Sequence, residues 1–466
     1  MRKLLDSPWL YFGAAAVLVV ALVASQFRYE VPPKRVGSVD ELARLRERDD
    51  LNVLFILVDT LRADHLGCYG YERATSPNID ALAARGIRFA RNEAQSSWTK
   101  ASMASLWTAM YPQRTGILRY PDGVPDEARL PAEILAEHGF YTAGIFRNSW
   151  VAANFGFGQG FDRYVKPLPN FSLDRFKNRS PSSKPLQGSD QDVTQSAVEF
   201  LQQYHDRRFF LYLHYMDAHQ YAYDSTSDLF GTTFLDLYDN AIHWVDINVG
   251  YVMTALRNLG LAEKTLVVLV ADHGEAFFEH GFEGHAKGLY DEVQHTPWIV
   301  IPPFDLEPGV VVGTQVANVD VWPTIFDLLG IEGALPDAQG LSTLPLILAE
   351  AKGEPVPSAF APRPVFSHID RHWGKVRHEE NPYFAVVETP YRLHHKLKFP
   401  NQDQLYDHSI DPDEQENIAA EKPELAERLR ADIDTYRQAK PAWDKATEEL
   451  SELELNQLRA LGYKID

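Results

Sequence analysis

Apolar positions along the chain fall into a few near-continuous runs, separated by stretches with helical spacing. NVLFILVD (Asn52 to Asp59), FFLYLHYMD (Phe209 to Asp217) and TLVVLVAD (Thr265 to Asp272) are apolar on both faces and end in an acid. A strand buried on both sides reads this way, and such strands belong to parallel sheets covered by helices. Helical spacing predicts helices over Pro77–Arg85, Ala101–Met110 and Leu235–Leu259. Strands alternating with helices imply a large mixed, mostly parallel α/β sheet sandwiched by helices. In such sheets ligands bind beyond the carboxyl ends of the strands, where Asp59, Asp217 and Asp272 are delivered.

After Pro302 the pattern changes. A helix over Val321–Leu329 and a Gly/Pro-rich stretch lead to alternating segments, PVFSHI, YFAVVET and YRLHHKLKF, with the spacing of a small antiparallel sheet. Helices over Pro423–Ala439 and Ala446–Leu461 close the chain.

The N-terminus carries an uncharged apolar run from Trp9 to Ala24 behind Arg2 and Lys3, expected as one N-terminal transmembrane helix rather than a cleaved signal. Either reading sends the rest across a membrane, so a single-pass inner-membrane protein with its catalytic domain in the periplasm or outside the cell is expected. The expected divisions are a membrane anchor or signal at 1–28, a polar stalk at 29–50, a catalytic domain at 51–345 and a C-terminal subdomain at 346–466.

Composition narrows the partners. Among 466 residues 45% are apolar, enough for a sizeable core. Acidic residues outnumber basic ones 65 to 45, for a formal charge of -20 and no basic stripe, so nucleic acid is not an expected partner. The single cysteine, Cys68, excludes an internal disulfide and a multi-cysteine zinc cluster.

Two segments carry chemistry. Asp272-His273-Gly274-Glu275 places a carboxylate and an imidazole side by side at a strand end, a pairing that ligates a divalent ion. Ser96-Ser97-Trp98-Thr99-Lys100-Ala101-Ser102 is a hydroxyl-rich turn directly before a helix. A hydroxyl there is ordinarily an N-cap, but beside a metal it is also a nucleophile facing a helix start that favours anions.

These blocks resemble the sulfatase family of the alkaline-phosphatase superfamily. NVLFILVDTLRADHLGCYGYERATSPNIDALAARGIRF looks like the family's opening and ADHGEAFFEHGFEGHAKGLYDEVQHTPWIVIP like its second metal block. HYMDAHQYAY, LYDHSIDPDEQENIA and LNQLRALGY resemble further segments, so the likeness runs from about Asn52 to the C-terminus. It implies a metal-dependent ester hydrolase with an anionic substrate, phosphate or sulfate. Asp59, Asp272, His273 and Thr99 would hold one divalent metal, and Thr99 falls at the nucleophile.

The chain also departs from the pattern. Sulfatases carry Cys or Ser in C/S-x-P-x-R, converted to formylglycine, whereas this chain reads Thr99-Lys100-Ala101-Ser102-Met103. Threonine cannot yield that aldehyde, so phosphate mono- or diesters are expected ahead of sulfate esters, an envelope phosphoethanolamine or phosphoglycerol transferase and a non-catalytic metal module. Thr60 replaces a second Asp, which favours Mn²⁺ or Zn²⁺ over Ca²⁺ or Mg²⁺. His219, His285 and Lys287, with His280, are candidates for binding the anion or protonating the leaving group. His214 reads equally as a packed core residue, and a second metal near Asp217 is a weaker expectation. Lys100 is read as an anion ligand or a solvated helix residue.

Overall fold

The structure, a computed structural model, describes residues 34–169, 177–178, 188–360, 362–375, 378–448, 455–456, 459 and 465. Nine strands form the main sheet: β1 (Asn52–Val58), β2 (Ile87–Glu93), β3 (Tyr141–Phe146), β4 (Arg163–Val165), β5 (Phe209–Tyr215), β6 (Thr265–Val270), β7 (His295–Ile301), β8 (Val310–Val312) and β9 (Val316–Ala317). Their order is β8-β2-β7-β6-β1-β5-β3-β4, with β9 beside β2. β7 runs antiparallel to both neighbours while the other pairings are parallel, giving the mixed, mostly parallel sheet expected.

β1 shows why its sequence is apolar throughout. Val53, Phe55 and Leu57 enter one core and Leu54, Ile56 and Val58 the other, because side chains alternate across a strand. On the first face Phe55 stacks on Trp322 at 5.2 Å and lies 5.5 Å from Trp107. Those rings come from the helices α2 (Thr99–Thr108) and α5 (Val321–Leu328). The other face is covered by α1 (Pro77–Ala83), α3 (Asp190–Tyr204) and α4 (Phe234–Asn258). All ten residues of α2 are buried, so it is a core helix with no solvent stripe.

Beyond α6 (Leu344–Lys352) lies the second sheet, an antiparallel meander of β10 (Val365–Asp370), β11 (Pro382–Glu388), β12 (Tyr391–Lys396) and β13 (Gln404–Asp407). α7 (Pro423–Arg437) packs Leu429 and Ile433 against Val386, Leu393 and Leu405 of this sheet.

Two local expectations change and a third lies outside what the structure describes. From Lys34 on, the expected stalk lies against the domain: Val36–Gly37 pairs with Asp305–Leu306, and Leu42 and Leu45 are buried in the core. Ala446–Thr447, expected in a helix, pairs as a short strand with Asp122–Gly123, tertiary pairing overriding helical spacing. The Trp9–Ala24 run lies outside the described residues, and among those described no helix is long and apolar enough to cross a membrane.

Candidate active site

The four central strands, β6-β1-β5-β3, end on one side of the sheet and deliver the site. Asp59 follows β1, Asp272 and His273 follow β6, His214 sits near the end of β5, and Asn148 follows β3. α2 then starts at Thr99. Asp59, Asp272 and His273 are fully buried, with ligand atoms all within 4.8 Å of one another. Thr99 Oγ1 lies 3.2 Å from His273 Nε2.

Tautomer and orientation are set by neighbours. His273 Nδ1 lies 2.9 Å from the Gly274 carbonyl and must donate to it, leaving the Nε2 lone pair facing Thr99. Gly274 has no alternative: a Cβ there would sit 2.1 Å from the Glu292 carbonyl oxygen. His214 donates from Nε2 to Asp59 Oδ2 at 3.1 Å while its Nδ1 accepts from the Tyr212 hydroxyl at 2.7 Å. Asn148 Nδ2 donates to the same Asp59 oxygen at 2.6 Å and lies 3.5 Å from Thr99 Oγ1. Its Oδ1 is fixed by the Trp150 N–H. The backbone N–H of Thr60 donates to Asp272 Oδ1, from a φ of 58° that a β-branched residue rarely adopts.

The electrostatics are unbalanced in the way a cation site is. Among the described residues, Asp59 Oδ1 is buried with no hydrogen-bond partner, and Asp272 Oδ2 has only His273 Nε2 at 3.3 Å. Burial and the charge of Asp59 push the Asp272 carboxyl up to about 7. Against its own burial, the His214 bond and nearby imidazoles hold Asp59 well below the usual carboxylate range. Two carboxylates, an imidazole lone pair and a hydroxyl, with orphaned oxygens turned inward, fit a divalent ion.

His219 and His285 stand beside this group. Their rings are 4.9 Å apart, and His285 lies 4.6 Å from His273. His285 Nδ1 is held by Glu275 at 3.2 Å, and burial pushes its pKa down to about 4. Lys287 is exposed at the rim, resting on the Glu283 carbonyl.

Three sequence candidates lie elsewhere. The expected second metal near Asp217 has no room for its charge. Both Asp217 oxygens are taken, by the Arg147 guanidinium on one side and the Asp190 N–H and Trp244 indole on the other. His280 faces the C-terminal sheet, bound to Glu292 and the Glu414 carbonyl and stacked on Tyr290 at 3.7 Å. Lys100 neither meets solvent nor faces the cluster. Its buried Nζ donates to the carbonyls of Tyr120 and Asp122 and lies 3.1 Å from the Phe155 ring centre, an arrangement that pins the start of α2.

The comparisons with known proteins bear on this geometry. The sulfatase family profile matches residues 51–331, which contain every residue of the cluster. The chain belongs to the sulfatase family. A second profile, N-sulphoglucosamine sulphohydrolase, C-terminal, matches residues 278–439. Human arylsulfatase A is 27% identical over 457 residues, spanning 81% of this chain and 86% of its own. Mouse N-acetylgalactosamine-6-sulfatase is 26% identical, spanning 74% and 71%. A putative sulfatase from Bacteroides thetaiotaomicron superposes with a TM-score of 0.70 at 20% identity, covering 90% of this chain and 95% of that one. The phosphonate monoester hydrolase of Agrobacterium radiobacter gives 0.64 at 16%, covering 83% and 95%. These likenesses fix the fold as that of the alkaline-phosphatase superfamily. The sulfatase chain is an ester hydrolase of a family that binds a divalent metal.

Sequence reasoning missed Asn148, left His214 undecided and gave Glu275 no role of its own. YTAGIF before Arg147-Asn148 is a short apolar run with a polar end, the same signal as the three strands that were found. Nothing in the sequence separates His214 from a core histidine, because its role comes from β5 lying beside β1.

Proposed function

We propose that this sulfatase-family chain hydrolyses an anionic oxyester at Thr99, with a divalent cation held by Asp59, Asp272 and His273. The observation that carries the reading is Thr99 Oγ1 at 3.2 Å from the bare Nε2 of His273, beside two buried carboxylates with unsatisfied oxygens. When bound, a divalent cation supplies Lewis-acid charge to the ester oxygens and eases deprotonation of a neighbouring hydroxyl. Mn²⁺ or Zn²⁺ suits the mixed carboxylate–imidazole set.

The chain's own groups do the rest. Asn148 positions the Thr99 hydroxyl, the His273 lone pair being given to the cation, and α2 turns its amino end toward the developing anion. Thr99 Oγ bonds to sulfur or phosphorus as the bridging oxygen leaves with its electron pair. His285, oriented by Glu275 and with His219 beside it, takes the Thr99 proton and hands it to that oxygen, and Lys287 at the rim meets the rest of the substrate. Water then releases the group from threonine.

Sulfate esters are the first class to test, because the family and the related enzymes named above are sulfatases. A second reading, phosphate or phosphonate monoesters, is favoured by Thr99: two-electron oxidation at its Cβ gives a ketone, not the aldehyde hydrate of formylglycine sulfatases. The Agrobacterium fold neighbour points the same way. We further place the domain outside the cytoplasmic membrane, tethered through Trp9–Ala24.

The deciding experiment compares p-nitrophenyl sulfate, p-nitrophenyl phosphate and a phenylphosphonate monoester, with and without added Mn²⁺ or Zn²⁺. Metal-dependent turnover of at least one, abolished by Thr99→Ala, is expected. Turnover unchanged in Thr99→Ala removes the proposed nucleophile and leaves Ser96, Ser97 and Ser102 as replacements.

A further inference from the structure

A cleft of about 360 Å³ opens between residues 113–123, which follow α2, and the face of β10 and β11 that carries His368 and Phe384. It shares no residue with the ester site, and its volume lies within the ~300–1,000 Å³ range of small-molecule sites. Alternation along β10 explains its floor. Ser367 and Ile369 point into the catalytic domain, Ser367 donating to the Ala94 carbonyl, so His368 and Asp370 point into the cleft.

His368 is the anomaly there. It is 2% exposed, yet neither ring nitrogen has a hydrogen-bond partner among the described residues. Its ring packs on Phe384 with centres 4.3 Å apart. A buried imidazole left unsatisfied on both edges is costly unless something in the cleft completes it.

The surroundings say what kind of group that is. Charges in the walls are matched in pairs: Arg119 with Asp370 at 2.9 Å, Lys445 with Asp122 at 2.8 Å, and Arg437 with Asp434 at 2.9 Å. Glu380 lies exposed at the rim. Among the described residues a charged ligand therefore meets no buried counter-charge. Burial, opposed only in part by Asp370, keeps the imidazole neutral, with its pKa down at about 3. A neutral imidazole has one donor and one acceptor nitrogen, the complement of a hydroxyl group that is both. Phe384 and Trp443 add aromatic faces to the lining.

We propose that this cleft is a second binding site, for a neutral polyhydroxylated ligand of the size of one sugar residue, with His368 reading its hydroxyl groups. The site is independent of the ester-hydrolysis reading and stands or falls without it.

The test uses the full chain. Methyl glucoside, methyl galactoside and N-acetylglucosamine are titrated in turn, with inorganic phosphate as the charged control, while the His368 ring resonances are followed by NMR. Saturable binding of at least one neutral sugar that moves those resonances is expected. His368→Phe, which keeps the ring stack, should weaken it at least tenfold. Trp443→Leu, at the open side, should weaken it severalfold and serves if the first variant fails to fold. Thr99→Ala should bind unchanged. The proposal is overturned if none of the three sugars binds, if phosphate moves the His368 ring instead, or if binding is lost in Thr99→Ala and kept in the cleft variants.

Discussion

Two clusters in this molecule have nearly the same inventory. Asp59, Asp272 and His273 bring two carboxylates and an imidazole within 4.8 Å of one another, and so do Glu292, Glu414 and His280. Their surroundings differ completely. Around Glu414 stand Arg392 at 3.3 Å, His408 at 2.7 Å and His394 at 3.5 Å. Arg392 in turn binds Glu93 of the main sheet at 2.7 Å. Here protein cations neutralise the carboxylates and fasten the C-terminal sheet to the catalytic domain. Around Asp59 and Asp272 no arginine or lysine makes an ion pair among the described residues; only imidazoles and an amide approach. The contrast teaches that ligand spacing alone does not define a metal site. What distinguishes one is negative charge the protein has left uncompensated.

All but the last of these predictions separate the two clusters, beginning with the largest effect. Thr99→Ala should lower turnover at least about 10³-fold, with circular dichroism and melting little changed, since it removes the attacking atom alone. Substituting His285 by Asn should cost about 10²–10⁴-fold in kcat, the range for a positioned acid–base group, with substrate binding less affected. Glu414→Gln should act oppositely. It removes one of three carboxylates around buried Arg392, which keeps Glu93 and Asp291, and should destabilise the fold by about 1–3 kcal/mol in denaturant titrations, while activity per folded molecule stays within severalfold. Chelation should lower the melting temperature by several degrees, and Mn²⁺ or Zn²⁺ should restore it, because it leaves two buried carboxylates facing each other. Asp59→Asn should abolish that chelator response and Glu292→Gln should not.

The smallest effect concerns pH. The folded pKa of His368 lies near 3, below the ~6.5 of an unfolded histidine, so the unfolded chain binds the extra proton first. Stability contributed by this site is therefore complete above about pH 6.5 and falls as pH drops toward 3. His368→Phe should flatten that part of the melting-temperature profile.

Much of this was legible before any coordinates. β1, β5 and β6 announce themselves because strands buried on both faces need apolar residues at every position, and their terminal acids mark the binding side of the sheet. β2 hides because Arg88 and Arg91 interrupt its pattern, and Pro297 breaks the run of β7. The roles of Asn148 and His214 are tertiary: they depend on strand order, which periodicity does not carry. Asp217 misled for the same reason. It sits at a strand end like the other two acids, but Arg147 reaches it from β3's end and closes it off. Lys100 next to the nucleophile invited an electrostatic role, and burial among aromatic rings gave it a structural one.

The most direct test of the account is metal analysis of the purified full chain beside single-carboxylate variants. One equivalent of divalent metal per chain, lost in Asp272→Asn and retained in Glu292→Gln, is the predicted result. Absence of metal from active protein, or its loss with Glu292→Gln and retention in Asp272→Asn, would contradict it.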